Sequence, residues 1–193
     1  MIDPRASELT DLPDEALVLL AQRQDRLAFE QLVRRTARLV FAHLYLQTGS
    51  AQQAEELVQE TFLSAWRSLD QVKRAAGFRA WLLAVAHSTA VDAARRRWRQ
   101  KRGGLPQDAD ALLTLPHPGP SPPELAQRNE QRRRVIDAMR TLPDEQRQVL
   151  TLRYLAGADY AQIGRQMGIS NGSLRGLLNR GLAMLREILK SDL

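Results

Sequence analysis

Residues 55–102 of this chain read EELVQETFLSAWRSLDQVKRAAGFRAWLLAVAHSTAVDAARRRWRQKR. The stretch begins with an acidic amphipathic segment, breaks at a polar and basic turn over residues 70–77, and continues as one long segment. That segment ends in a basic run over residues 95–102, which carries six cationic side chains around Trp98. A negative helix beside a positive, aromatic-bearing helix predicts two different partners for one small domain.

Apolar residues in and around this stretch recur at spacings of three and four, which is the pattern of amphipathic helices. In the quoted stretch the apolar stripes contain Leu57, Phe62, Trp66, Phe78 and Trp81. Strand-like alternation of useful length is missing from the sequence. We therefore predict an all-helical bundle over residues 11–102, preceded by a loose terminus over residues 1–10.

The composition changes after the basic run. Six of the nine prolines lie between Pro106 and Pro123, which predicts an extended linker over residues 103–126. At about 3.1 Å per residue, this linker could reach roughly 70 Å. Apolar spacing resumes beyond it and predicts a smaller helical domain over residues 127–193. The predicted fold class is all-α, with two helical domains joined by a proline-rich linker.

The second domain contains the sequence IGRQMGIS at residues 163–170, which is typical of a helix-turn-helix. Gly164 is small where two helices would cross, and Gly168 permits a left-handed turn. Ser170 or Asn171 can cap the following helix. Such a helix lies in the major groove of DNA, and its leading half here offers Asn171, Ser173, Arg175 and Asn179. A plain helical hairpin is the alternative interpretation.

The net charge of +6 and the sequence pI of about 10.4 favour a polyanionic partner, although a merely basic protein has the same composition. The chain has no cysteine, which excludes disulfides, thiolate metal sites and cysteine nucleophiles. His43, His87 and His117 are scattered along the sequence and make a poor metal cluster. We expect no metal and no cofactor.

Other protein classes lack support in the sequence. No apolar run approaches the roughly 20 residues of a membrane span, and the acidic N-terminus does not resemble a signal peptide. We therefore expect no membrane insertion and a cytoplasmic protein. The sequence contains no catalytic triad, phosphate-cradling glycine loop or carboxylate pair with a pocket, so we do not expect an enzyme.

Together these motifs resemble the extracytoplasmic-function (ECF) group of bacterial sigma factors over residues 28–102 and 135–189. Residues 28–33, AFEQLV, are similar to the family's opening motif. The acidic segment is similar to the helix that binds the clamp coiled coil of RNA polymerase. The resemblance implies core RNA polymerase as a partner, bound through Glu55, Glu56, Gln59 and Glu60.

Residues 78–82 and 92–97 resemble the segment that melts the −10 promoter element and holds it as a single strand. The helix-turn-helix resembles the domain that reads the −35 element as duplex DNA. For the −10 element the resemblance implies contacts from Lys73, Arg74, Arg79, Ser88, Asp92, Arg95, Arg96 and Arg99. For the −35 element it implies contacts from Arg165, Ser170, Asn171, Ser173, Arg175, Asn179 and Arg180.

The resemblance has two further implications. A spacer of roughly 17 base pairs between the two elements spans nearly 60 Å at about 3.4 Å per pair, which is within reach of the predicted linker. The family also implies an anti-sigma factor that covers the binding surfaces.

The sequence departs from the family pattern at two places. Ser88 stands where the family often has asparagine, and Leu177 replaces an arginine of the recognition helix. The rival interpretation is a helix-turn-helix regulator that binds a palindromic duplex without polymerase. It assigns no role to the acidic helix or to the linker. An enzyme with a helical substrate domain is a more distant alternative.

Overall fold

The fold is given by a computed structural model, which describes residues 4–101 and 133–191. Every regular element in these two ranges is a helix, which confirms the predicted all-α class. The α-helices are α1 (Pro4–Asp11), α2 (Asp14–Gln22), α3 (Arg26–Thr48), α4 (Ala51–Arg67), α5 (Phe78–Lys101), α6 (133–141), α7 (Asp144–Leu150), α8 (Tyr160–Met167) and α9 (Asn171–Ser191). Short helical turns are Leu69–Gln71, Ala75–Gly77 and the π-type turn Thr151–Leu155.

The helix ends are set by local residues. The side chains of Asp25, Ser50 and Asp159 accept hydrogen bonds from the first turns of α3, α4 and α8. Gly49 and Gly168 follow α3 and α8 in the left-handed conformation, with φ of 71° and 66°. Each such cap satisfies backbone groups that the helix itself cannot pair, and a polar N-cap typically stabilises its helix by about 1 kcal/mol.

The first helical unit is built from α1 to α5. Its core contains Leu17 from α2, Leu32 and Leu44 from α3, and Phe78 and Leu82 from α5, all of them fully buried. Helix α3 lies at the centre because it packs against α1, α2, α4 and α5. This arrangement leaves one face of α4 and the C-terminal half of α5 at the surface.

The N-terminal residues pack onto this unit. Leu9 in α1 is buried in the first core. Arg35 in α3 donates hydrogen bonds to the carbonyl oxygens of Thr10 and Leu12, at 2.6 and 2.7 Å. The expectation of a loose terminus is therefore wrong from Pro4 onward, because α1 buries a leucine and its end is tied to α3.

The second helical unit is built from α6 to α9. Leu152, Ile163 and Leu174 are fully buried at its centre. A Cβ atom on Gly164 would lie 3.1 Å from the carbonyl oxygen of Ile169. This close approach confirms the predicted need for a small residue where the chain turns from α8 into α9.

The two units pack against each other. Leu46 of α3 and Ala80 and Leu83 of α5 are buried in the same cluster as Met139 and Leu142 of the second unit. Leu83 is only 1 % exposed. The apolar patch formed by Leu46, Ala80 and Leu83 therefore belongs to the first unit but is covered by the second, and we call it the inter-unit patch.

Polar contacts border the inter-unit patch. The guanidinium of Arg140 lies 5.7 Å from the ring centroid of Tyr45 and close over Gly49 at the end of α3.

The predicted linker over residues 103–126 and His117 lie outside the described ranges. Within those ranges, no helix has the length and apolar character needed to cross a bilayer.

Candidate nucleic-acid and protein interfaces

Helix α4 separates its apolar and acidic side chains cleanly. Leu57, Phe62 and Ala65 are buried against the first core. The four residues expected to bind polymerase all lie on the exposed side: Glu55, Glu56, Gln59 and Glu60. Leu63 is exposed beside them, with 59 % of its surface accessible. This face combines negative charge with an accessible leucine, which suits a protein partner of opposite charge.

The acidic face contacts the basic run directly. Glu60 accepts a hydrogen bond from the guanidinium of Arg96 at 2.8 Å. Arg97 donates to the side chain of Gln53 and lies 4.0 Å from the carboxylate of Glu56. The two surfaces that the sequence assigned to different partners are thus ion-paired with each other.

The other residues expected at the −10 element are exposed, but they differ in their contacts. Asp92 forms an ion pair with Arg95 at 3.7 Å, and Arg99 donates to the backbone carbonyl of Arg95 at 3.4 Å. Trp98, which these arginines flank, is 68 % exposed. The remaining exposed members of the set are Lys73, Arg74, Arg79 and Ser88.

Arg79 has a partner that its sequence context did not predict. Its guanidinium forms an ion pair at 2.9 Å with Asp14 in α2, which also binds Arg35 at 2.9 Å. Burial raises the pKa of Asp14, but the hydrogen bonds and charges of Arg35 and Arg79 outweigh it and leave the pKa below the ordinary value. Arg79 thereby joins α5 to α2 in this structure.

The helix-turn-helix presents a polar face from α8 and α9. The hydroxyl of Ser170 accepts a hydrogen bond from the backbone N–H of Ser173 at 3.2 Å and so caps α9, as predicted. The guanidinium of Arg180 lies over Gly176, where a Cβ atom would come within 3.1 Å of it. All seven residues expected at the −35 element are exposed: Arg165, Ser170, Asn171, Ser173, Arg175, Asn179 and Arg180.

The sequence of this chain is similar to those of known proteins. Residues 32–100 match Sigma-70 region 2, and residues 132–185 match Sigma-70, region 4. The RNA polymerase sigma factor CarQ of Myxococcus xanthus is 33 % identical over 162 residues, which cover 84 % of this chain and 89 % of CarQ. The chain is an ECF sigma factor.

A second relative has a longer chain. The ECF RNA polymerase sigma factor SigE of Mycolicibacterium smegmatis is 30 % identical over 84 % of this chain, but the match spans only 62 % of SigE. Among solved structures, the sigma factor RpoE in complex with the anti-sigma factor NepR from Bartonella quintana has a TM-score of 0.66 at 21 % identity. That match covers 86 % of this chain and 98 % of RpoE, and shows a shared fold.

In this sigma factor the departure at Leu177 has a structural explanation. Leu177 is 8 % exposed and belongs to the core of the second unit. An arginine at this position would bring a charge into the apolar cluster, so leucine fits the packing of α9. Ser88, the other departure, is exposed on α5.

One polar cluster of the sigma factor was missed by sequence reasoning. The side-chain amide nitrogen of Gln47 lies 3.0 Å from Nε2 of His43 and 2.7 Å from Nδ1 of His87. The two histidines, expected to be scattered, are therefore brought together across α3 and α5. The spacing of His43 and Gln47 places them on one helix face. No sequence signal links Gln47 to His87, which lies 40 positions further along the chain.

Proposed function

We propose that this chain is a dissociable promoter-specificity subunit of bacterial RNA polymerase. It binds core polymerase, directs it to promoters, and promotes DNA melting and transcription initiation. The observation that carries the proposal is the presence of three exposed surfaces in one chain of this family. These are the acidic face of α4, the basic C-terminal half of α5 and the polar face of the helix-turn-helix. An independent helix-turn-helix regulator needs only the third.

Polymerase binding is assigned to Glu55, Glu56, Gln59 and Glu60. They lie opposite the buried stripe of α4, so they can meet a basic surface without disturbing the core. Because Glu56 and Glu60 contact Arg97 and Arg96 in the free chain, docking would exchange these intramolecular partners for cationic residues of polymerase. Exposed ion pairs are weak, so this exchange has a small energetic cost.

The −10 element is assigned to the turn and to α5. Lys73, Arg74, Arg79, Ser88, Asp92, Arg95, Arg96 and Arg99 would hold the separated strand. Base stacking and pocketing contribute about 1–3 kcal/mol per base, which is enough to offset unstacking. The mechanism is binding and strand separation, without covalent catalysis. Its place of action is the cytoplasm, where bacterial polymerase works.

The −35 element is assigned to the face of α8 and α9 that presents Arg165, Ser170, Asn171, Ser173, Arg175, Asn179 and Arg180. We assign the −10 domain to residues 11–102, to which α1 adds its buried Leu9, and the −35 domain to residues 127–193, with residues 103–126 as the connection. An anti-sigma factor is a further partner. Support comes from RpoE, a structural neighbour that was solved in complex with the anti-sigma factor NepR.

Run-off transcription with core polymerase on a promoter library tests the proposal. We expect transcripts only when chain and core polymerase are combined, and the enriched templates should share two short elements separated by a fixed spacer. Core polymerase alone is the control. Equal enrichment of one palindromic duplex by the chain with and without polymerase would instead support the regulator and contradict the proposal.

A further inference from the structure

The polar cluster of His43, Gln47 and His87 lies where the two units meet. His43 and Gln47 belong to α3, where Leu46 is buried in the second core and Leu39 packs against it. His43 is only 3 % exposed. Its ring centroid lies 6.3 Å from that of His87 on α5. The two imidazoles therefore border the inter-unit patch.

The second unit completes the surroundings of His43. Asp144 and Arg147 of α7 act electrostatically on its ring, and they are paired with each other at 2.6 Å. Gln47 and His87 also line a cleft of about 430 Å³ together with Asp144 and Arg147. The titratable and charged groups that face His43 are thus His87 from α5 and Asp144 and Arg147 from α7.

The hydrogen bond from Gln47 requires a neutral His43 ring in the arrangement observed. The amide nitrogen of Gln47 carries two hydrogens and donates one to each ring, so Nε2 of His43 and Nδ1 of His87 both act as acceptors. A protonated imidazole has a hydrogen on both nitrogens and accepts none. Protonation of the His43 ring would break its bond to Gln47.

We propose that His43, Gln47 and His87 form a proton-sensitive clasp that holds the second unit over the inter-unit patch. With His43 neutral, Gln47 bridges the two rings and α7 covers them. When His43 takes up a proton, a positive charge lies buried beside His87 and Arg147, and the second unit is released. The ligand of this site is a proton, and proton binding changes the distance between the two units.

The sign of the pH dependence follows from the direction of the pKa shift. The pKa of His43 is lowered from 6.5 to about 4, chiefly by burial and in smaller part by His87 and Arg147, while Asp144 opposes the shift. The closed arrangement binds the proton less well than the open one. It is therefore fully favoured above pH 6.5 and weakens as the pH falls from 6.5 towards 4. Lowering the pH from about 7.5 to 5.5 should shift the equilibrium towards the open arrangement about tenfold.

The consequence for transcription rests on the proposed function. The −10 and −35 elements are separated by a spacer of nearly 60 Å, about 3.4 Å for each of roughly 17 base pairs. Two units in direct contact through Leu46 and Leu83 cannot reach both elements at once. The clasp would thus hold the free chain in a form that cannot span a promoter, and promoter engagement would require its opening.

Intramolecular energy transfer between two dyes tests the clasp in the free, full-length chain. Because the chain has no cysteine, the substitutions Asp70→Cys and Ala183→Cys place one dye on each unit at exposed positions to which no binding contact is assigned. We expect high transfer efficiency near pH 7.5 and a reversible fall towards pH 5.5, with an unchanged far-ultraviolet circular dichroism spectrum.

Variants separate the clasp from general acid effects. His43→Leu or, if that variant fails to fold, His43→Gln should show no change in transfer efficiency between pH 7.5 and 5.5, because the titrating group is gone. Arg140→Ala is the matched control at the edge of the same interface, where Arg140 lies over Tyr45. It should lower transfer at every pH and keep the pH dependence.

Three results would overturn the proposal. They are a constant transfer efficiency in the wild type between pH 7.5 and 5.5, the same pH dependence in both His43 variants, and a loss of helical signal in step with the loss of transfer. None of them depends on polymerase or promoter DNA. A failed clasp and a failed sigma-factor assignment are therefore distinguishable.

Discussion

The two halves of α5 make contacts of opposite character. The N-terminal half presents Ala80 and Leu83 to the second unit, where they are buried in a shared apolar cluster. The C-terminal half presents Arg96 to Glu60, and both side chains are 50 % exposed. A buried apolar contact is made or lost as a whole, whereas an exposed ion pair can exchange partners at little cost. Helix α5 thus contributes both to the buried contact between the two units and to a charged surface that can exchange partners.

The largest effect should come from breaking the buried contact. Leu83→Asp places a carboxylate in the inter-unit patch, where burying an unpaired charge costs several kcal/mol. We expect the second unit to be released at every pH, seen as a larger radius of gyration in small-angle X-ray scattering. Leu19→Asp is the matched control, because Leu19 is already 56 % exposed. An unchanged radius for Leu83→Asp would mean that the patch does not hold the units together.

The second prediction concerns the acidic side of the charged contact. Glu56→Lys combined with Glu60→Lys should abolish co-purification with core polymerase, because truncated or reversed charges at interface centres cost about 2 kcal/mol or more. Helicity should not change, since both residues are exposed. Glu8→Lys with Glu15→Lys alters the net charge equally on other exposed helix faces and should still bind. Equal polymerase binding by both double variants would contradict the docking face.

The helix-turn-helix provides a reference region that neither contact of α5 should influence. Arg175→Ala should weaken binding to −35 duplex and change base preference, because a bidentate contact to guanine contributes about 1–3 kcal/mol of discrimination. Binding titrations on a set of duplexes with single substitutions would measure this. Arg186→Ala, also exposed on α9, is the control. A loss that is uniform across all duplexes would assign Arg175 to phosphate instead.

The fourth prediction tests whether Arg96 and Arg99 bind DNA only after its strands have separated. Replacing Arg96 and Arg99 by glutamine should reduce permanganate reactivity at the −10 element and lower the salt slope by about 0.7 for each lost contact to single-stranded phosphate. A pre-melted template should restore the complex in part. Identical footprints for the wild type and the variant at all salt concentrations would mean that the basic run over residues 95–102 is only a solvated helix face.

The smallest effect is expected from the ion pair itself. A double-mutant cycle with Glu60→Gln and Arg96→Gln should give a coupling of about 0.2–1 kcal/mol in the free energy of unfolding, because both groups are half exposed and screened by salt. Urea titrations of the four proteins measure it. A coupling well above this range would show that the pair holds the two helices together and is not readily exchanged.

Several features could be predicted because they depend on neighbours in sequence. The helices follow from the spacing of apolar residues, and their ends follow from residues such as Ser170 and Gly168, whose cap and left-handed turn were expected. The exposure of Glu55 and Glu60 follows from their position opposite Leu57. The expectation of a loose terminus was wrong over residues 4–10, because a short polar segment with one leucine reveals its helix only when α3 supplies a partner.

Other features required the tertiary structure. The sequence alone determined the all-α class, the helix-turn-helix and the charged faces, since these depend on periodicity and local hydrogen bonding. Only the packing of α3, α5 and α7 decided that Leu83 is covered by the second unit, that Arg96 pairs with Glu60, and that Gln47 joins His43 to His87. The physical reason is that these contacts join residues far apart in the chain, whose meeting depends on how whole helices pack rather than on any local pattern.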